Sequence, residues 1–442
     1  MQAILLLFGV ALILTSYYLM KTAREGLILS THMFGLAAEE LKSYAGGAMA
    51  VLLLGIVPLY GLLAKTLKRI TLINVSYAIV IGCLVVFFIV GTAGVPIGLA
   101  FFIWIGVVSV FLIAQFWSYA NDLYTEEQGK RLFALIAIGG SLGAVAGPQL
   151  SKLGETFTLL PVAAGLLVVT LILLNVVERI HRKTAAPDDK TADELISGDD
   201  GFLLILRDPY LLFFAALILL SQLVNTNGEF ILGSVVRAHA ANLVPDSLHA
   251  NLVGAAHTDA IDHDRREFIK GFYATYFFWV NLVGFIIQAF FVSRILQKLG
   301  VRKAIFIMPI IAIGASSMIG AIGGIYLIRA AKVAENSVDY SLENTVRQAL
   351  WLPTTRAVKY KAKAAIDTFV VRFADTISAV IVWLLFRQMG LAATDIAFVN
   401  IAAMVLALGV AAGIAKYHKK ISREHDAAAK PADAPAPAVT AA

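Results

Sequence analysis

Residues 333–378 read VAENSVDYSLENTVRQALWLPTTRAVKYKAKAAIDTFVVRFADTIS. They lie in a 442-residue chain that is 59% hydrophobic and 15% charged, against about 25% charged residues in soluble domains. Nearly everything before this segment reads as lipid-buried helix. The fold therefore turns on whether so charged a stretch crosses the membrane or interrupts the crossings.

Charge-free windows long enough to span a bilayer occur at 3–20, 43–64, 132–151, 157–177, 209–228, 271–293 and 396–415. Two longer windows, 70–121 and 304–328, need internal breaks, which GTAGVP (91–96) and Gly320, Gly323 and Gly324 supply. Hydropathy alone gives ten helices, and twelve if 324–350 and 364–388 also cross. Loop charge arbitrates. Lys and Arg favour the cytoplasmic side, and KTLKR, GKR, ERIHRK, RILQKLGVRK and RAVKYKAK fall in alternate loops only if both charged segments span. The reading is a twelve-helix, all-α membrane protein with both termini in the cytosol. The first apolar run has no basic region before it and no small-residue cleavage site, so it reads as a retained helix.

The chain also repeats. YTEEQGKRLFALIAIGGSLG follows span four and LPTTRAVKYKAKAAIDTFVVR follows span ten, with a polar linker between the halves. The expected domains are a six-helix half over 1–179, a cytosolic linker over 180–207, a second six-helix half over 208–417 and a disordered Ala- and Pro-rich tail over 418–442. Two pseudo-symmetric halves of this kind resemble the major facilitator plan, in which the substrate site lies near the midplane between repeats.

At 100° per residue, Arg329, Lys332, Asn336, Asp339, Glu343 and Arg347 fall within an arc of about 80°. Each ionised group at a helix centre costs roughly 2.5–3.5 kcal/mol on insertion scales, so the stripe is expected to face a wet cavity. Span eleven carries Lys363, Asp367, Asp375 and Ser378 on one side with Arg372 at its flank. Tyr17, Lys21 and Arg24 share a face of span one; Gln115, Ser118, Tyr119 and Asp122 cluster on span four; Asn225, Asn227 and Glu229 end span seven. Spans one, four, seven and ten are the expected cavity lining. Glu343, Lys363, Asp367, Arg372 and Asp375 read equally well as gating or coupling ion pairs.

Arg offers a planar fork suited to phosphate or carboxylate, and Tyr17, Tyr18, Tyr119 and Tyr340 offer ring faces. A phosphorylated, ring-bearing anion fits that mixture better than a neutral sugar or a lipid. DYSLENTVRQALWLP with AVKYKAKAAIDTFVVR, FWSYANDLYTEEQGKRLFALIAIGGSLGAVAG and YYLMKTAREGLIL resemble segments of the ATP/ADP translocase family, the bacterial and plastid nucleotide exchangers, and suggest a distant member of free-living bacterial type. The resemblance implies a basic residue in span one (Arg24, where the family has Lys), an acid in span four (Asp122, where it has Glu), Glu229 in span seven and a basic residue in span ten (Arg347, for Lys). It implies exchange of nucleotide di- or triphosphates. The residues themselves point to alternating access, with the ligand held by Lys21, Arg24, Lys332 and Arg347 and balanced by Asp122, Glu229 and Asp339; Arg329 completes the cationic set. A proton-coupled symporter or exporter of another organic anion or drug is the alternative, and a non-transporting receptor or scaffold a third.

Gly139, Gly143 and Gly147 form GxxxGxxxG on span five, a spacing that lets helices approach closely. The four histidines of the expected outer loop 238–267 have no standard metal spacing, and the single Cys83 leaves no thiol pair for metal or disulfide. QGKR at 128–131 lacks the rest of a phosphate loop. No cofactor, enzyme chemistry or nucleic-acid partner is indicated, since basic loops facing anionic lipid account for the net charge of +6. The expected setting is a bacterial inner membrane, with the lipid bilayer and a small anionic substrate of ATP/ADP type as partners, and a monomeric chain.

Overall fold

The computed structural model describes residues 2–184 except 32, 68 and 125; residues 205–352 except 251; and residues 354, 362, 363 and 366–429. The described chain is helical, with short connections. Its helices are α1 (Gln2–Leu29), α2 (Ala38–Thr66), α3 (Arg69–Thr92), α4 (Gly98–Leu123), α5 (Glu126–Leu150) and α6 (Leu159–Thr184). After the linker come α7 (Pro209–Leu243), α8 (Ala255–Leu299) and α9 (Val301–Ile322). Then α10 runs through Ile325–Val338, Asp339–Glu343 and Asn344–Leu350, α11 through Ile366–Val370, Val371–Ile381 and Val382–Gln388, and α12 over Ile396–Ala429.

Among the described residues, eight of these helices are long and apolar enough to cross a membrane: α1, α3, α4, α6, α7, α8, α9 and α12. This is a multi-pass membrane protein. The opening segment is helical on both sides of its middle; α10 is too charged to qualify on hydropathy, and α11 is not among the eight. Most of RAVKYKAK and of the linker 180–207 lies outside the described residues.

Local chemistry sets the helix ends. Gly94 (φ +88°) and Pro96 separate α3 from α4, and Gly323 and Gly324 (φ +66° and +87°) turn α9 into α10 in a conformation that L side chains resist. The Asp208 side chain accepts from the Tyr210 backbone N–H at 2.8 Å and Pro209 occupies the first turn, so α7 starts sharply. Two sequence boundaries shift. The expected outer loop 238–267 shrinks to 244–254, because α7 persists to Leu243 and α8 begins at Ala255, placing His257 and His263 on a helix. At the other end, α12 extends to Ala429, past the expected limit at 417; charged residues that hydropathy scores as tail are good helix formers.

Of three apolar cores, one draws only on Leu6–Val177 and another only on Ile205–Ile414. The third joins residues of both regions, among them Tyr18, Ile28, Phe102, Phe230, Tyr273 and Ile328. Within the first region α1 lies along α5. A Cβ on Gly139, Gly143 or Gly147 would fall on the carbonyl oxygen of Leu7, Ala11 or Thr15 respectively. The glycine repeat thus holds two backbones in direct contact, at the same four-residue step on both helices.

Candidate functional site

The residues of interest converge on a cavity of about 320 Å³, at the lower end of the volumes typical of small-molecule sites. Six helices line it: Tyr17, Lys21 and Arg24 from α1; Glu39, Lys42 and Ser43 from α2; Phe102 and Ser109 from α4; Gln222, Asn225, Thr226 and Glu229 from α7; Tyr340 from α10; Arg372 and Asp375 from α11. A larger cavity of about 560 Å³ opens among Ser30, Gly94, Pro96, Asp259, His263 and Arg266, and holds none of the expected site residues.

The charges of the first cavity are organised in pairs. Arg24 donates through Nε to Glu25 Oε1 at 3.0 Å and stacks 4.6 Å above the Phe102 ring. Lys42 lies 2.6 Å from Glu25 and 3.4 Å from Glu229, and 5.3 Å over the Tyr273 ring. Arg372 meets Asp375 at 3.1 Å, whose other oxygen accepts from Gln222 at 2.9 Å and Thr226 at 2.7 Å. Lys21 differs: its ammonium sits 4.4 Å from the Phe277 ring centre, 5.5 Å from Tyr18 and 5.8 Å from Tyr17.

Of the residues expected to form the site, Lys21, Arg24, Glu229, Arg372 and Asp375 come together here. The others do not. Lys332 is fully buried, lying against α7 in the space left by Gly228, and bonds Glu335 at 2.9 Å. Asp339 and Glu343 share Arg347 at 3.2 and 3.3 Å along α10 itself. Arg329 stacks between Phe272 and Tyr326, Lys363 donates to the Gln348 side chain at 2.7 Å, and Asp122 and Asp367 are exposed away from the cavity. The expected single stripe on α10 is broken by π-helical turns at Asp339–Glu343, whose additional residue per turn rotates everything beyond them. Of the cluster expected on α4, Gln115 donates to Ser76 and Tyr119 to Glu178; these partners lie on α3 and α6, so Phe102 and Ser109 line the cavity instead.

Sequence reasoning missed Glu25, Glu39, Lys42 and Glu335. Glu25 follows Arg24 directly, and a helical wheel turns it 100° away; yet Arg24 bends back to its neighbour. Glu39 and Lys42 precede the charge-free window 43–64 and so read as loop, whereas α2 begins at Ala38. The crowding of Lys21, Arg24 and Glu25 within five residues was the available signal.

No family model matches the chain. It is 22% identical over 317 residues to ADP,ATP carrier protein 1 of Chlamydia pneumoniae, a match covering 62% of this chain and 57% of the relative. It is 21% identical over 307 residues to the protein of the same name from Chlamydia muridarum, covering 60% and 54%. Over that part the chain is similar to these ADP,ATP carriers. The matched part spans little more than half the length of these relatives. Among solved structures, a mutant form of the nucleoside transporter NupG superposes with a TM-score of 0.61 at 13% identity, over 95% of this chain and 100% of that one. An inward-facing, unoccupied bacterial homolog of the human lysosomal transporter Spinster superposes with a TM-score of 0.52 at 14% identity, over 97% of each. The chain shares the fold of these two transporters.

Several polar contacts link residues of 2–184 to residues of 205–429. Arg237 meets Glu39 at 3.2 Å and Arg387 meets Glu40 at 3.5 Å. Glu267 accepts from the backbone N–H and hydroxyl of Thr156, and Lys270 donates to the Gly154 carbonyl. Tyr18 donates to Asn281 at 2.8 Å, and Asn281 donates to the Ala144 carbonyl at 2.9 Å. These contacts lie from mid-bundle toward the end where α1 and α7 finish and α2 and α8 begin. Deeper within the second region, Ser378 donates to Asn227 and Asn227 to Asn400, all three buried.

Proposed function

We propose that the chain is a secondary transporter of twelve spans in two six-helix halves, 1–179 and 208–417, working by alternating access on a phosphorylated, ring-bearing anion of nucleotide type. The observation that carries this reading is the cavity itself. Lys21, Arg24, Lys42 and Arg372 converge with Tyr17, Phe102, Phe230 and Tyr340 on a space walled by helices from both sides of the linker. Arg24 supplies a fork for phosphate oxygens, and the rings supply faces for a base. The proteins it is similar to, ADP,ATP carriers in sequence and a nucleoside transporter in fold, point the same way. Among the proposed ligand-holding residues, Lys42 takes the place that Lys332 and Arg347 held in the sequence reading. Lys332 and Arg347 with Asp339, Glu343, Lys363 and Asp367 are assigned to the moving framework. The basic loops favour an inner membrane with both termini cytoplasmic.

In this reading the halves rock about the cavity, and contacts such as Arg237–Glu39 and Arg387–Glu40 close its outer end. Purified protein in liposomes preloaded with adenine nucleotides, scored for counter-flow of labelled AMP, ADP and ATP, tests it. Saturable exchange of any member supports the reading. No exchange, together with no thermal stabilisation by any of them, removes the nucleotide assignment.

One observation favours a second reading. Arg24, Lys42 and Arg372 each already hold a carboxylate, as expected of a proton-coupled carrier of another organic anion, in which an acid is released to protonate as cargo binds. Transport that follows an imposed pH gradient, without nucleotide exchange, would select it.

A further inference from the structure

Charge matching around the cavity is complete except at one residue. Arg24 and Lys42 are matched by Glu25 and Glu229, Arg372 by Asp375, and Arg237, which reaches the lining from behind, by Glu39. Among the lining cations, Lys21 alone has no carboxylate partner among the described residues. Its neighbours are the rings of Tyr17, Tyr18 and Phe277, with Phe277 at 4.4 Å. On α10, Asp339 is engaged with Arg347 at 3.2 Å.

Ring faces hold an ammonium by their quadrupole, at about 0.5–2 kcal/mol each, without neutralising it. A charge left uncompensated at membrane depth is costly, and this one faces the cavity. A single anionic group arriving at Lys21 meets a cation that need release nothing. Each further negative charge on the same ligand must displace Glu25, Glu229 or Asp375 from an existing pair, or remain unpaired in a space of low polarity. The cost of adding phosphates therefore rises after the first charge.

We infer that Lys21 is the anchor of the cargo's anionic group, and that the site selects a ring-bearing ligand with one net negative charge, such as a phosphodiester, over the same ring carrying two or more. This rests on the reading that the cavity holds the cargo, and it narrows the proposed nucleotide class to its weakly charged members. Tyr17, held edge-on to Tyr18 at 5.1 Å, and Tyr340 are ring faces that line the same cavity as that anchor.

Two ligand ladders on the purified full-length protein test the inference, read by equilibrium binding and thermal shift at fixed ionic strength. The first is adenosine, the methyl ester of adenosine 5′-monophosphate, AMP, ADP and ATP. The second is benzyl alcohol, benzoate and phthalate, which repeats the charge step without a nucleoside. The expected result is a maximum at one negative charge, about tenfold tighter than the neutral member, with Lys21→Gln abolishing that step and Lys21→Arg preserving it. If only the benzoate ladder shows the Lys21-dependent step, the anchor stands and the nucleotide assignment falls. Affinity that climbs with every added phosphate, in wild type and Lys21→Gln alike, overturns the inference while leaving nucleotide binding intact. Absence of a Lys21-dependent step in both ladders overturns it outright.

Discussion

Lys42 of α2 stands between two carboxylates, 2.6 Å from Glu25 and 3.4 Å from Glu229. Among the described residues it is the one lysine that links an acid of residues 2–184 to an acid of residues 205–429. The two contacts differ in surroundings. Glu25 is fully buried, whereas the Glu229 side chain keeps 24% of its exposure within the cavity. Coulomb attraction in a drier, shorter contact exceeds that in a longer, wetter one, so the unequal pair makes Lys42 a fixed ligand of Glu25 and an exchangeable ligand of Glu229.

A double-mutant cycle separates the two. With Lys42→Gln, Glu25→Gln and Glu229→Gln, the Lys42–Glu25 coupling should reach about 2–3 kcal/mol. The Lys42–Glu229 coupling should stay below about 1 kcal/mol, as solvated pairs do. Thermal or denaturant unfolding in detergent provides the readout. Equal couplings, or the larger one at Glu229, would contradict the assignment.

Lys332 and Glu335 present the opposite case, a pair with 0% and 2% of its side-chain surface exposed. Removing one partner leaves an unmatched buried charge, which costs roughly 3–5 kcal/mol in proteins. Glu335→Gln should therefore lower the unfolding midpoint markedly. The double replacement Lys332→Met with Glu335→Leu should restore most of the loss, because an apolar pair of similar size needs no compensation. If the double variant is as unstable as the single one, Lys332 or Glu335 has a further role.

The same helix shows how far the sequence carried. Apolar windows and glycine breaks located most of the helices, including the turn at Gly323 and Gly324, because those signals depend on local chemistry. The ring of site residues was only half legible. Lys21, Arg24 and Glu229 are where an undistorted helix would place them. Arg347 is not, since a wheel at 100° per residue cannot anticipate the π-helical turns at Asp339–Glu343 that precede it; Lys332, before those turns, packs against α7 at Gly228 instead of facing the cavity. Nor can periodicity show that a charge is already answered by its neighbour, as with Arg24 and Glu25, or that Tyr119 turns inward to Glu178.

The α1–α5 contact makes a sharper structural prediction. Gly143 faces the Ala11 carbonyl so closely that a Cβ has nowhere to go, and the obstacle is backbone that cannot rotate aside. Gly143→Val should cost about 1–3 kcal/mol or more through overpacking, or abolish recovery of folded protein. Gly165→Val on α6, where nothing lies within 4 Å of the added Cβ, should cost far less. Size-exclusion profiles and melting temperatures of the two variants compare them directly. A tolerated Gly143→Val would mean that α1 and α5 are not packed backbone to backbone.

Arg387 and Glu40 tie α11 to α2 at the end of the bundle where α1 and α7 finish, with Glu40 1% and Arg387 47% exposed. A carboxylate so buried depends on its partner, while the exposed guanidinium loses little when the pair opens. If the pair helps hold that end shut, Glu40→Gln removes the attraction without adding bulk and shifts the chain toward a form open there. A loss of about 1 kcal/mol changes such an equilibrium roughly fivefold. In a Cys83→Ser background, a cysteine at Ser43, which lines the cavity, reports the change through its rate of labelling by a membrane-impermeant maleimide. Glu40→Gln should raise that rate about fivefold in right-side-out vesicles, and Arg387→Gln should raise it similarly. Should neither variant alter labelling, the contact is packing at the rim and the cavity is closed by other groups.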